Sequence, residues 1–160
     1  MDLNEIYKKE KIINLYFRKK YNYNDEEIFN KQVLELLCEL SEFAYETKCF
    51  KYWKNEKQSN PEITIPEFAD CLMITLCFCD LAGIDELVID NISENDMVKL
   101  FIETHRIASS LSIDLEKEKL FKILTNLIMI SKLLNYSDEL LFKYCIDKMD
   151  KTLNMISENV

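Results

Sequence analysis

Four glutamates in one helical stretch have the residue type and the spacing of a cation site. They follow one another at i, i+4, i+7 and i+11, so at about 100° per residue they share an arc of roughly 60° on one helix face. The segment from Val33 to Thr47 contains no Lys or Arg, whereas an ordinary solvated face mixes both signs. The glutamates are Glu35, Glu39, Glu42 and Glu46.

A second acidic pair, Glu67 and Asp70, lies in a stretch that is otherwise suited to burial. Carboxylates of one sign on largely buried helices repel one another and resist desolvation, so a bound cation is the natural compensation. Oxygen ligands without a histidine favour Mg²⁺ over zinc. The alternative is that the four glutamates of the first stretch form a plain solvent-exposed face, which is common on amphipathic helices.

The link between the two acidic stretches is rich in lysine and aromatic residues. In a nucleotide site the cations would neutralise phosphate and the rings would stack on a base. In the alternative, the rings close the end of a helical bundle while the lysines stay in solvent. The residues are Lys48, Phe50, Lys51, Tyr52, Trp53, Lys54 and Lys57.

Three segments, taken in order, carry a resemblance to a known family. They are ELSEFAYE at 39–46, CFKYWK at 49–54 and EFADCL at 67–72. Their order and spacing resemble the dimeric, all-α dUTPase family within the MazG-like nucleoside triphosphate pyrophosphatases, most sharply over 31–81. The resemblance implies an all-α bundle, a homodimer, and hydrolysis of dUTP to dUMP and pyrophosphate, with dUDP as a second substrate.

The same resemblance implies roles for individual residues. The expected Mg²⁺ ligands are Glu39, Glu42, Glu67 and Asp70. The ions would neutralise phosphate oxygens and lower the pKa of a bound water. Glu39 is the expected general base for that water, with Glu46 as the other candidate. The expected substrate contacts are Phe50, Lys51, Trp53 and Lys54 after the first acidic helix, and Tyr144, Lys148 and Lys151 in the last helix.

Several positions depart from the family pattern. Tyr45 stands where the family tends to have Asn, and Glu10 and Asn14 are the nearest candidates for a Gln that the family directs toward the base. The family's Arg in the last helix is missing and the lysines there are displaced. Because base discrimination depends on a few paired polar groups, a housecleaning pyrophosphatase for another nucleotide is an alternative function. A non-catalytic helical interaction protein is the third possibility, which the clustered carboxylates disfavour.

Length and composition limit the remaining classes. The chain has 160 residues, of which 48% are hydrophobic, which is enough for one domain, 1–160, with a proper core. One Gly and two Pro favour long helices over a β-rich fold. A formal net charge of −9 disfavours a general nucleic-acid surface, because the phosphate backbone would be repelled. No secretory segment or membrane span is expected.

Apolar periodicity and capping residues predict about six helices. The expected ranges are 3–20, 26–48, 64–82, 93–111, 114–134 and 137–156. Thr64 to Glu67 resembles a capping box, which would give Glu67 a competing role at the helix start. The fifth helix is too apolar for solvent and needs a partner surface, in the bundle or across a dimer interface.

The cysteines and the one histidine give little evidence of chemistry. The six cysteines form no CxxC pair and mostly occupy apolar helical positions, so we expect reduced core thiols and a cytoplasmic location. His105 has no apparent nucleophile or acid partner, so a structural or solvated role is expected.

Overall fold

The computed structural model describes residues 1–22, 26–54 and 59–159, and the described residues form six helices and no strand. The predicted all-α bundle is confirmed. Lys57 and most of the predicted break at 21–25 lie outside the described residues. The helices are α1 (Leu3–Tyr21), α2 (Glu26–Thr47), α3 (Pro61–Leu81), α4 (Met97–Ser110), α5 (Lys117–Leu133) and α6 (Asp138–Glu158).

Helix α3 is the central element of the bundle. It packs against α1, α2, α5 and α6, and its buried side chains lie on most of its circumference. A helix that is apolar almost all round can be accommodated only in a core. The fully buried residues Phe68, Leu72, Leu76 and Phe78 therefore hold this helix, and the acids it carries, in a fixed position.

Helix α2 runs antiparallel to α3. The rings of Phe29 and Phe78 lie 5.5 Å apart between centroids near the start of α2, and those of Phe43 and Phe68 lie 6.0 Å apart near its end, both edge to face. Phe43 also contacts Phe101 of α4 at 5.2 Å. These contacts fix the rotation of α2 about its axis, so its glutamates lie beside α3.

Helix α5 is buried within the bundle. Its side chains Leu120, Ile123, Leu124, Leu127 and Ile130 are fully buried, and it packs against α3 and α4. The apolar surface of this helix was expected to pack either within the bundle or across a dimer interface, and the structure shows that it packs within the bundle.

The start of α3 differs from the prediction. The helix begins at Pro61, and its N-cap is Asn60, whose side-chain oxygen accepts the Glu62 N–H at 3.0 Å. Asn is a strong N-cap and Pro is favoured in the first turn, so the helix begins after Asn60 and not at Thr64. The predicted capping box is wrong, and Glu67 lies inside the helix with its carboxylate free of a capping role.

The other helix ends are close to their predictions. Ser137 caps α6 and Asp96 caps α4, where a side-chain oxygen of each accepts a first-turn N–H at 3.2 and 3.1 Å. Gly83 follows α3 with φ +71°, the left-handed conformation that glycine adopts without strain. Helix α5 begins three residues later than predicted, because the Asp114 carboxylate pairs with Lys119 instead of capping the helix.

Four of the six cysteines are buried, as expected of core thiols, while Cys38 is exposed and Cys49 is partly buried. None of the six forms a disulfide. Among the described helices, none offers an apolar stretch of the length that a bilayer requires.

Candidate metal and nucleotide site

The antiparallel contact of α2 and α3 brings three carboxylates together. One carboxylate oxygen from each of Glu39, Glu42 and Glu67 can be chosen so that all three lie within 4.8 Å of one another. Both helices present acids at i, i+3, so each contributes two neighbouring side chains to one side of the contact. Glu39 and Glu67 are half-buried and Glu42 is exposed, so the group is open to solvent on one side.

Asp70, one turn after Glu67 on α3, is the fourth acid of this group. Its charge raises the pKa of both Glu39 and Glu67, which shows that it lies close to them. The Asp70 carboxylate also pairs with the ammonium group of Lys148 from α6. We call Glu39, Glu42, Glu67 and Asp70 the carboxylate cluster.

Burial and mutual repulsion shift the acids of the carboxylate cluster toward their neutral form. Partial burial, followed by the charges of Asp70, Glu42 and Glu67, raises the pKa of Glu39 to about 7. The pKa of Glu67 is also raised, by burial and by Glu42 and Asp70, while Lys148 opposes the shift. A divalent cation would reverse these shifts, because it favours the ionised form of every carboxylate around it.

The donor set fits a hard divalent ion. Carboxylate oxygens are the ligands that Mg²⁺ and similar ions prefer, and no histidine joins the group. The thiol of Cys71 is the nearest soft donor, since the charges of Glu39 and Asp70 act on it. Burial raises the pKa of this thiol well above its usual range, so it stays protonated and is a poor metal ligand.

Two further glutamates of α2 extend the acidic stripe on either side. Glu46, one turn after Glu42, is half-buried, and its charge contributes to the raised pKa of Glu67. Glu35, one turn before Glu39, has a pKa raised by partial burial and by Asp70. The stripe predicted from the sequence is therefore one electrostatic unit with the acids of α3.

A small polar cavity lies beside the stripe, between α1, α2 and α3. Its volume is about 130 Å³, and Glu35 belongs to its wall. Two of its lining residues, Glu10 and Asn14, are the positions that depart from the family pattern in the first helix. The remaining lining residues are Phe17, Gln32, Met73, Ile74 and Cys77.

A chain of hydrogen bonds supports the wall of this cavity. The Asn14 amide donates to Asp80 at 2.6 Å, and Asp80 also pairs with Arg18 at 2.8 Å. The Cys77 thiol donates to the Asn14 carbonyl oxygen at 3.0 Å, and the Gln32 amide lies 3.7 Å from the Cys77 sulfur. These bonds orient the amide groups that line the cavity.

Two buried polar groups of the cavity have no hydrogen-bond partner among the described residues. The side-chain oxygen of Gln32 is buried and accepts no hydrogen bond. The carboxyl group of Glu10 is buried and makes none either. Burial, with a smaller effect from Asp80, raises the pKa of Glu10 to about 8, so this group is mostly neutral at pH 7 and can donate as well as accept.

The aromatic and basic segment after α2 packs away from the carboxylate cluster in this structure. The Phe50 ring lies 6.0 Å from the ring of Tyr45 and 6.1 Å from that of Trp53. The Lys51 ammonium lies over the Tyr45 ring at 5.4 Å, and Lys54 is exposed. Among the described residues this segment therefore covers the side of α2 that faces α4, where Phe50 lines an apolar groove.

The predicted residues of α6 lie in three different environments. Lys148 contacts the carboxylate cluster, as described above. Tyr144, one turn earlier, lines a groove with Pro61 and Pro66 at the start of α3. Lys151 is exposed and has no ion pair among the described residues.

The structure is an all-α bundle with clustered carboxylates beside a polar cavity, an arrangement that suits a metal-assisted nucleotide hydrolase. Over residues 2–158 the chain matches the family described as dUTPase, and because this match spans nearly all of its length, the chain belongs to that family. It is accordingly a dUTP diphosphatase, which acts on a nucleotide, and the family generally uses a divalent metal. No curated protein and no solved structure matches the chain.

Sequence reasoning missed Gln32 and Cys77, which line the cavity, and Asp80, which accepts a hydrogen bond from Asn14 in its wall. One signal was present for Gln32, because it precedes Glu35 and Glu39 at i−3 and i−7 and so continues the acidic stripe with an amide. Cys77 and Asp80 gave no such signal, since each depends on the packing of α1 against α3, which the pattern within one helix does not specify.

The raised pKa of Glu10 predicts a pH-dependent effect of Glu10→Gln on stability. The folded pKa is about 8 against 4.5 for the free group, so folding takes up a proton between these values and wild-type stability falls as pH rises through this range. The amide cannot ionise. The melting temperature of the variant should exceed that of wild type by several degrees at pH 8 and by little at pH 5. Glu86→Gln, which changes an exposed acid, should show no such trend, and a difference independent of pH would contradict the assignment.

Proposed function

We propose that the carboxylate cluster is a magnesium site at which this enzyme hydrolyses dUTP, with dUDP as a second substrate. The observation that carries the proposal is the grouping of the Glu39, Glu42 and Glu67 oxygens within 4.8 Å. Apolar packing between two helices forces these like charges together, and the arrangement is unfavourable without a cation. Asp70 adds a fourth ligand on the same side of the contact.

The four acids would bind and orient the ion from two rigid helices. Magnesium, when bound, neutralises phosphate oxygens and lowers the pKa of a coordinated water. Glu39 would also orient that water, and either Glu39 or Glu46 would accept its proton. Glu46 lies outside the close oxygen group, so its carboxylate is less engaged by the ion and is available as the proton acceptor.

The direction of the substrate follows from the antiparallel helices. The cavity of Gln32 and Cys77 lies beside the first half of α2, and the carboxylate cluster lies further along it. A base in the cavity would therefore direct its phosphates along α2 toward Glu42. The end of α2 leads into Lys51 and Lys54, which suits contacts with the terminal phosphates.

The polar groups of the cavity suit the edge of a uracil. Uracil presents an imide N–H between two carbonyl groups. The unpaired Gln32 oxygen would accept the N–H, and the neutral Glu10 carboxyl would donate to a carbonyl. In this placement the rings of Phe50 and Trp53, which the resemblance assigns to the base, lie after the far end of α2, on the segment that contains Lys51 and Lys54.

The remaining substrate contacts would come from α6. Lys148 is close to the carboxylate cluster and would meet a phosphate held there, while Lys151 lies one turn further along the same helix. Tyr144 lies one turn before Lys148 on the same face. Its side chain would form the edge of the site near the start of α3. Catalysis of phosphoryl transfer depends on positioning the reacting groups and neutralising the phosphate charge, so no nucleophilic side chain is required.

We also propose that the enzyme is a homodimer. Large exposed apolar side chains follow one edge of α2 and meet those of α4: Leu34 is 62% exposed, Tyr45 58% and Ile102 55%. Tyr45 and Ile102 border the apolar groove that contains Phe50. Contiguous apolar surface of this kind is typical of an interface, and the resemblance to a dimeric family makes a second copy the expected occupant.

Formation of nucleoside monophosphate from a panel of nucleotides tests the proposed reaction, because dUTP and dUDP both yield dUMP but only dUTP releases pyrophosphate. We expect turnover of dUTP and dUDP over dCTP, dTTP and dATP, with activity lost in EDTA and restored by Mg²⁺. Glu39→Gln should lower kcat/KM by about 10²- to 10⁴-fold, while Glu86→Gln should leave it unchanged. If a nucleotide with another base were the preferred substrate, the enzyme would be a pyrophosphatase for that nucleotide instead. Activity in EDTA would contradict the metal site.

The same assay, combined with metal binding, separates the two possible bases. If Glu46 accepts the proton, Glu46→Gln should lose turnover at least tenfold while it binds Mn²⁺ as wild type does. The Glu39→Gln variant should lose both turnover and Mn²⁺ binding. A Glu46→Gln enzyme with full turnover would leave Glu39 as the base.

Light scattering of the eluted protein tests the homodimer. Wild type should elute at twice the mass of the chain, and Ile102→Asp should elute as a monomer, because a buried unpaired charge is incompatible with an apolar interface. Ile113→Asp, at an exposed position of the α4–α5 connection, is the matched control and should remain dimeric. A monomeric wild type would refute the proposal.

A further inference from the structure

Lys148 is the one cation that faces the carboxylate cluster at contact distance in the described part of the chain. Its ammonium group pairs with an Asp70 oxygen, and the two side chains keep 33% and 35% of their exposure. The described residues form no ion pair with Glu39, Glu42 or Glu67. Among the described residues, Lys148 alone therefore counters the excess negative charge of the cluster by an ion pair.

The backbone of Lys148 is held firmly by the core, whereas its side chain is partly exposed. Three neighbours on α6, Leu141, Cys145 and Met149, are fully buried in the core. The ion pair between Asp150 and Lys9 of α1, at 2.5 Å, adds a second anchor. The half-exposed ammonium group sits at the end of a flexible four-carbon stem, so it can change partners without movement of the helix.

We propose that Lys148 acts as a resident counter-ion that leaves Asp70 when the metal binds and moves to a phosphate of the nucleotide. This inference rests on the proposed function, because it requires a cation in the carboxylate cluster. Asp70 cannot give the same carboxylate oxygen fully to an ammonium group and to a divalent ion. Once displaced, the ammonium group remains beside the cluster, where a phosphate held by the metal is the nearest available anion.

The exchange has opposite effects on the two ligands. In the free enzyme Lys148 competes with the metal for Asp70 and lowers the affinity for the metal alone. In the presence of nucleotide the ammonium group gains a phosphate partner, so the competition is relieved and the nucleotide binds more tightly. Since linkage between two binding sites is reciprocal, Lys148 makes metal and nucleotide promote each other's binding.

A purely structural role predicts something different. A half-exposed ion pair contributes little to the stability of a fold, and its loss would weaken the site by misplacing Asp70. Removal of the ammonium group would then lower the affinity for the metal. The counter-ion role predicts the reverse, so the sign of the change distinguishes the two roles.

The test is a titration of nucleotide-free protein with Mn²⁺, in which free Mn²⁺ is followed by electron paramagnetic resonance. Lys148→Met should bind Mn²⁺ roughly tenfold more tightly than wild type. Lys148→Gln, which also lacks the charge but keeps a polar end, should behave likewise and serves if the Met variant does not fold. Lys143→Met, at an exposed position of the same helix, should match wild type.

A second titration follows the nucleotide. At saturating Mn²⁺, a dUTP analogue with a nonhydrolysable imido bridge between the α- and β-phosphates should bind Lys148→Met about tenfold more weakly than wild type. Equal or weaker Mn²⁺ binding by both charge-removing variants would overturn the counter-ion role and leave the metal site standing, as long as Glu39→Gln loses Mn²⁺. Absence of Mn²⁺ binding by wild type would overturn the metal site and the role of Lys148 together.

Discussion

The packing of α2 against α3 is the contact on which the site depends. Phe43 and Phe68 meet edge to face, and Leu36, Leu40 and Leu72 are fully buried around them. Each large apolar side chain that is buried contributes about 1.5–3 kcal/mol, so several together outweigh the repulsion among partly solvated carboxylates. The core therefore holds the acids at a separation that they would not adopt unaided, and a bound cation would relieve the repulsion.

The helices could be predicted from the sequence because the apolar periodicity and capping residues of each helix lie within its own segment of the chain. Apolar periodicity located all six, and each of them starts within four residues of the expected position. The errors arose where two signals competed over a short distance. Asn60-Pro61 and Thr64-Ile65-Pro66-Glu67 both have the residues of a helix start, and the earlier pair prevails because it combines a strong cap with Pro in the first turn.

Only those features of the candidate site that follow from the residue spacing within a single helix could be predicted from the sequence. The i, i+3 pairs Glu39–Glu42 and Glu67–Asp70 are local patterns, and the fold brings three of these four acids within 4.8 Å and the fourth beside them. The ion pair of Asp70 with Lys148 and the bond of Asn14 to Asp80 join residues that are 78 and 66 positions apart. No spacing rule specifies such pairs, because they depend on how α1 and α6 pack against α3.

The antiparallel arrangement of α2 and α3 also explains how one pair of helices lines both the polar cavity and the carboxylate cluster. Along α2, Gln32 and Glu42 are ten residues apart, which at 1.5 Å per residue is about 15 Å. Along α3 the order is reversed, since Glu67 precedes Cys77 by the same number of residues. The polar cavity and the carboxylate cluster therefore lie at opposite ends of one shared contact, with Glu35 between them. Substitutions in the cavity would leave the positions of the acids unchanged, whereas a change in the rotation of either helix would displace both the cavity and the acids.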